Sequence, residues 1–210
     1  MNAVIFDFDG TIVDSLAAVI KVYEDLMKKP RRFSKEEIEE LQHKDLLQIA
    51  LELNIPKWKI PWLLFRGRRM FRSHMRSVKV HEGMPEVIAD LHDRGVPLYV
   101  LSSNGTSNVQ KYLQWNNLDK YFLAVYGGAG LLGKARKLHK LFAQEGVTAE
   151  GSWYVGDETR DIIGAKAADL KIVAVSWGYN SRQALLDREP DELADTPEEL
   201  AKVLKELWKK

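Results

Sequence analysis

Residues 3–11 read Ala-Val-Ile-Phe-Asp-Phe-Asp-Gly-Thr. The first four form a short apolar run that ends in an acid, which predicts a strand buried on both faces. Met1 to Gly10 carries two acids and no basic stretch, so a secretory signal is not expected there. Moving outward, Leu16, Val19, Ile20, Tyr23, Leu26 and Met27 recur at helical spacing, with Asp14 or Ser15 as the expected N-cap. Pro30 to Phe33 is a break, and Ser34 with Glu37 forms a capping box for a second helix. Leu46, Leu47, Ile49, Ala50 and Leu53 mark a third helix, closed by Asn54 and Pro56. A fourth is expected from Trp62 to Val78, with Leu63, Leu64, Gly67, Met70, Phe71, His74 and Met75 on one face and Arg69, Arg72 and Arg76 opposite.

After Glu82-Gly83-Met84-Pro85 the rhythm changes. Helices are expected over Pro85–Arg94, Thr106–Trp115, Lys134–Gln144 and Arg160–Ala168, with short helices from Ser181 and Pro197. Strands are expected over Leu98–Leu101, Phe122–Tyr126, Trp153–Val155 and Ile172–Val175. Strands separated by helical patterns of 10–15 residues imply a parallel sheet with right-handed crossovers. The expected architecture is an α/β, Rossmann-like core (1–14 and 81–210) with an inserted all-helical cap (15–80).

The composition is compatible. The chain has 210 residues, with 45% hydrophobic and 29% charged residues and a net charge of +1. That excludes a disordered or collagen-like chain. No apolar window long enough for a membrane span occurs, so no membrane partner is expected. Zero cysteines exclude disulfide and thiolate chemistry and fit a reducing cytoplasm.

Ligands of open parallel sheets bind beyond the carboxyl ends of the strands. Asp7, Asp9 and Thr11 follow the first strand; Ser102, Ser103 and Asn104 follow the second. The third leads through a glycine-rich loop to Lys134, and the fourth ends in Asp157 with Asp161 four residues on. Asp7, Asp157 and Asp161 repel one another unless a cation is shared, and hard oxygen ligands beside a phosphate suit Mg²⁺. A carboxylate can act as nucleophile through an aspartyl-phosphate. Ser103 and Lys134 can grip the phosphoryl oxygens, and Asp9 can protonate the leaving oxygen and then activate water.

The segments Asp-Phe-Asp-Gly-Thr (7–11), Leu-Ser-Ser-Asn (101–104), Lys134 and Gly-Asp-Glu-Thr-Arg-Asp (156–161) resemble, in order, the four motifs of the haloacid dehalogenase superfamily. The resemblance covers essentially the whole chain and points to the helical-cap branch that includes phosphoglycolate phosphatases and β-phosphoglucomutases. It implies Asp7 as nucleophile and Asp9 as acid/base. Ser103, Asn104 and Lys134 then hold phosphate, and Asp7, the Asp9 carbonyl, Asp157 and Asp161 hold Mg²⁺, with Asp161 direct or one shell out. Dehalogenases and phosphonatases of the superfamily lack the second acid, so Asp9 favours phosphoryl transfer. The implied activity is hydrolysis of a small phosphorylated metabolite, with 2-phosphoglycolate as the default substrate. A sugar-phosphate mutase is one alternative. A slow family member that binds protein or nucleic acid through its basic cap helix is another, which four intact motifs argue against. Monomer and homodimer both stay open.

Two features compete for attention. Gly128 to Ala135 nearly matches a P-loop, but its final Ser/Thr is Ala135, and a P-loop leaves residues 7–11 unexplained. From Pro56 to Glu82 there are eight basic residues and one acid. Arg69, Arg72 and Arg76 there can meet an anionic substrate, or they are a solvated face paired with the acidic run Asp187 to Glu199. His43 and Lys44, between cap helices, are candidate specificity residues, and Trp58 and Trp62 are candidates for a surface or stacking contact. His81 lies near the return to the core.

Overall fold

A computed structural model describes residues 1–27, 33–44, 48–49, 55–59, 75–130 and 133–208. Its centre is a six-stranded parallel sheet. In chain order the strands are β1 (Val4–Phe6), β4 (Leu98–Leu101), β5 (Ala124–Tyr126), β6 (Trp153–Gly156), β7 (Lys171–Val175) and β8 (Glu192–Ala194). They lie in the order β5-β4-β1-β6-β7-β8. β1 is therefore central, with Phe6 opposite Val100 on one side and Val155 on the other. All of β1 is buried because helices cover both faces: Val4 and Phe6 join one apolar cluster, Ile5 the other. That is why its sequence is continuously apolar rather than alternating.

Helices α3 (Met84–Asp93), α4 (Thr106–Trp115), α5 (Lys134–Glu145), α6 (Thr159–Lys166), α7 (Arg182–Leu186) and α8 (Pro197–Leu207) connect or follow these strands. Two further helices, α1 (Leu16–Met27) and α2 (Lys35–Gln42), precede them. The capping box at α2 forms as expected, with Glu37 N–H donating to Ser34 Oγ and Ser34 N–H to Glu37. Ser15 stands at the N-cap position of α1. Its carbonyl accepts the first helical bond from Val19 N–H, while its hydroxyl turns away to Tyr179.

Several expectations are corrected. The fourth cap helix does not run to Val78, because Met75–Ser77 is a 3₁₀ turn and Lys79–Val80 is a strand, β3. β3 pairs antiparallel with β2 (Val13–Asp14), which joins the two chain crossings between the sheet and the helical segment. The strand before Tyr126 begins at Ala124, two residues later than expected. β8 was not expected at all. Residues 48–49 are helical, whereas the rest of the third cap helix and residues 60–74, including Trp62, His74, Arg69 and Arg72, lie outside the described residues. Arg76 stacks over the exposed ring of Trp115 at 5.1 Å. In the acidic run, Asp195 pairs with Arg182 at 3.1 Å and takes a hydrogen bond from Ser176. Trp58 is exposed. Among the described residues no helix is long and apolar enough to cross a membrane.

Candidate active site

The carboxyl ends of β1, β4 and β6 and the start of α5 meet at one edge of the sheet. Asp7 continues from β1, its N–H donating 2.8 Å to Val155 O, so the chain is still held in sheet register where the side chain leaves it. Residues 8–13 then turn back on themselves, with Ile12 and Val13 N–H donating to Phe8 O. Gly10 takes φ +85° in this turn, and a Cβ there would overlap the Asp157 carboxyl group. Glycine is needed twice over, for the left-handed backbone and for the close approach.

Asp7, Asp157 and Asp161 are all buried, and an oxygen from each lies within 4.8 Å of the others. Lys134, buried at the first position of α5, places Nζ 3.1 Å from Asp7 Oδ1 and against Asp161 Oδ1. Its charge is therefore inserted among the three carboxylates. Asp161 Oδ2 accepts from Glu158 N–H at 3.0 Å. Asp157 Oδ1 accepts from Thr11 Oγ1 at 2.6 Å, and its Oδ2 from Tyr179 N–H at 2.7 Å. Asp9 is half-buried, with Asn104 and Ser15 acting to lower its proton affinity. Asn104 and Ser103 follow β4; Asn104 is buried and Ser103 half-buried.

Burial dominates the electrostatics, and neighbouring negative charge reinforces it at Asp7 and Asp157. Burial pushes the Asp7 carboxyl up to about 8, with Lys134 opposing and Asp161 and Glu158 reinforcing. Burial raises Asp9 to about 6, against the Asn104 hydrogen bond. Asp157 is held well above the carboxylate range by burial and by Glu158, Asp161 and Asp7. Burial pulls Lys134 down, but the charges of Asp161 and Asp7 outweigh it and keep the ammonium protonated. Oδ1 of Asp9 is buried without a hydrogen-bond donor, and Oδ1 of Asp7 is buried with only the Lys134 ammonium facing it. Unsatisfied oxygens, neighbouring carboxylates and raised proton affinity together describe a site that fits a hard divalent cation.

Several participants went unrecognised in the sequence. Arg160 and Glu158, inside the fourth motif, pair with each other beside the cluster. The loop after β7 also reaches the site. Trp177 Nε1 donates 3.1 Å to Thr11 O, Tyr179 Oη lies 2.7 Å from Ser15 Oγ, and Asn180 Oδ1 accepts from Thr159 N–H at 2.9 Å. This loop could have been found by the same strand-end rule that found the others. It also meets the end of α2. Asn180 Nδ2 donates to Gln42 O and Lys44 O, Gln42 Nε2 donates to Gly178 O, and His43 Nδ1 lies 2.7 Å from Ser181 Oγ. His43 and Lys44 thus adjoin the 178–181 loop, one layer away from the carboxylates. His81 is half-buried with Nε2 unpartnered and its ring 6.2 Å from Trp177.

The family model for haloacid dehalogenase-like hydrolases matches residues 4–175. A phosphoglycolate phosphatase of Synechococcus elongatus is 35% identical over 214 residues, covering 100% of both chains. Pyrophosphatase PpaX of Bacillus cereus is 22% identical, covering 99% of this chain and 98% of its own. Among solved structures, a haloacid dehalogenase-like hydrolase of Streptococcus pneumoniae superposes with a TM-score of 0.81 at 21% identity, covering 97% of this chain and 98% of the other.

Proposed function

Since the chain belongs to the haloacid dehalogenase-like hydrolase family, we propose that it is a Mg²⁺-dependent phosphomonoester phosphatase working through an aspartyl-phosphate on Asp7. The observation that carries this reading is the Lys134 ammonium set between Asp7 and Asp161, with Asp157 within reach of both. A buried carboxylate beside a fixed cation and a second carboxyl group of different environment is the equipment for in-line displacement at phosphorus.

In this reading the substrate's phosphoryl group lies over Asp7. Lys134, Ser103 and Asn104 neutralise and orient its non-bridging oxygens, so most of the catalysis is positioning and charge stabilisation. An Asp7 oxygen attacks phosphorus as the bond to the leaving oxygen breaks, and Asp9 gives that oxygen its proton. Asp9, now ionised, takes a proton from water as the water attacks the phospho-Asp7, and inorganic phosphate leaves. A separation of roles between the two acids agrees with their environments. Asp9, raised to about 6, exchanges protons near neutrality, whereas Asp7 must be ionised to attack. Asp7, the Asp9 carbonyl and Asp157 would hold Mg²⁺, whose positive charge would favour the ionised form of Asp7 and offset the phosphoryl oxygens. Asp161 has both oxygens engaged by Lys134 and Glu158 N–H, so its part is to aim Lys134.

The substrate class is a small phosphorylated metabolite, with 2-phosphoglycolate the first to try, on the strength of the similarity to the Synechococcus elongatus phosphatase. The test is phosphate release from an aryl phosphate and from 2-phosphoglycolate, with and without Mg²⁺, by wild type, Asp7→Asn and Asp9→Asn. We expect Mg²⁺-dependent release, with turnover reduced on the order of 10⁴-fold or more in Asp7→Asn. Asp9→Asn should lose least on the aryl ester, whose leaving group needs little protonation. Near-normal turnover by Asp7→Asn would overturn the covalent route.

A further inference from the structure

The described part of the molecule leaves five buried side-chain polar atoms without a hydrogen-bond partner. Two are the acceptor oxygens of Asp7 and Asp9, which a cation satisfies. A third is a donor close by, the Nε of Arg160. Arg160 stands in the first turn of α6, one residue before Asp161, and its charge acts on both Asp7 and Asp9. Its Nη2 is held by Glu158, which is itself buried. The guanidinium has five N–H donors in a rigid fork, so the Glu158 contact leaves others open. It also keeps 22% of its side-chain surface exposed, whereas Lys134 keeps 3%. Lys134 is therefore the deep cation, already committed to Asp7 and Asp161. Arg160 is the less buried one, anchored through Nη2 and unpartnered at a buried Nε.

A buried N–H without an acceptor costs about 1–3 kcal/mol, and a charged donor loses more than a neutral one. Such a group persists where a ligand completes it. An anionic oxygen is the acceptor that a charged donor gains most from, and Lys134 is already engaged by Asp7 and Asp161. We propose that Arg160 binds a second anionic group of the substrate, one that is not transferred, so that the enzyme prefers phosphate esters bearing a carboxylate or a further phosphoryl group near the ester. Glu158 acts as the brace that holds the fork. This deepens the phosphatase reading and rests on it. Both similar proteins named above act, by their names, on substrates of this shape: phosphoglycolate carries a carboxylate, and pyrophosphate a second phosphoryl group.

The experiment separates recognition from turnover. Binding of 2-phosphoglycolate, pyrophosphate and ethyl phosphate is measured by calorimetry on the Asp7→Asn protein in Mg²⁺, with Arg160 intact, as Arg160→Gln and as Arg160→Lys. The kcat/KM values for the same three compounds are measured with Asp7 intact. The expected result is that Arg160→Gln lowers the preference for the doubly anionic ligands over ethyl phosphate by roughly 10- to 100-fold in both measurements, the range for losing one charge-assisted contact. Arg160→Lys should restore part of it. Loss confined to 2-phosphoglycolate assigns the subsite to a carboxylate, and loss confined to pyrophosphate assigns it to a phosphoryl group. An unchanged preference in Arg160→Gln, or no preference in the parent protein, overturns the proposal. A wild-type protein that binds with the expected preference yet releases no phosphate would overturn the phosphatase reading and leave the anion subsite standing.

Discussion

Replacing Asp7 by asparagine should stabilise the metal-free protein at pH 8, even though it removes the group assigned to the chemistry. The Asp7 carboxyl is raised by burial from 3.8 to about 8. A folded value above the unfolded one means that the fold prefers the proton. The associated stability is complete below pH 3.8 and is lost as pH rises to about 8. Between pH 5 and pH 8 the unfolded chain has released this proton and the folded one retains it, so each pH unit costs roughly 1.4 kcal/mol. The loss from Asp7 over three units is then on the order of 4 kcal/mol, or roughly 8–16 °C in Tm for a chain of this size. Asp9, raised to about 6, pulls the same way below pH 6. His81, lowered by burial, pulls the opposite way as pH rises toward 6.5, but it is present in both proteins and cancels. The assay is thermal unfolding of wild type and Asp7→Asn in a chelator at pH 5 and pH 8, then with Mg²⁺. Wild type should lose Tm toward pH 8, the variant should lose clearly less, and Mg²⁺ should recover the wild type more than the variant. Equal slopes for the two proteins in chelator would refute the argument, because Asp7 would then not be the group that holds the proton.

Two further substitutions test the supports of the site. Lys134→Met leaves Asp7 and Asp161 without their shared cation, and breaking a buried pair in this way costs about 3–5 kcal/mol; urea denaturation at pH 8 should show it, and a change under about 1 kcal/mol would contradict the placement of the ammonium. At Gly178 the backbone conformation is open to any residue, but a methyl group would overlap the Asp157 carboxyl group, so Gly178→Ala should keep the fold while weakening Mg²⁺ binding roughly 10-fold or more; calorimetric titration with Mg²⁺ checks it, and unaltered affinity would mean that Asp157 does not hold the ion.

What could be read in the sequence follows from how much of each element's cause is local. β4 and α4 were expected at the bounds they adopt, because a wholly buried strand is a run of apolar residues and Gly105 punctuates it from the helix that follows. β8 was missed for the complementary reason. Glu192-Leu193-Ala194 is an edge strand in an acid-rich run, and only Ala194 is fully buried. Its strand character comes from β7, which it pairs from Val173 to Val175, and no local pattern announces a partner 19 residues away. β3 is similar: two residues at the end of a segment with helical periodicity become a strand because Val13 and Asp14 are there to pair with them.

The site divides along the same line. Asp7, Asp9, Lys134, Asp157 and Asp161 were legible because each stands where a strand's end or a helix's start delivers it, and because charge is conspicuous there. The groups that hold them were not. Tyr179 fixes Asp157 through its backbone N–H, a donor every residue but proline possesses, so nothing in its side chain marks the role. Asn180 ties the start of α6 to Gln42 and Lys44 with an amide whose three partners are 21, 138 and 136 positions away. Arg160 is the intermediate case. It falls inside a motif read at Gly156, Asp157 and Asp161, and the positions between read as spacers. Yet the first turn of a helix that begins at Thr159 brings residue 160 to the same strand-end cluster as Asp161, and a cation cannot stand near Glu158, Asp161 and Asp7 without affecting them. Spacing alone finds the residues that a reaction requires of every member of a family. The residue that could make this member choose among substrates shows only when its unsatisfied donor is set beside theirs.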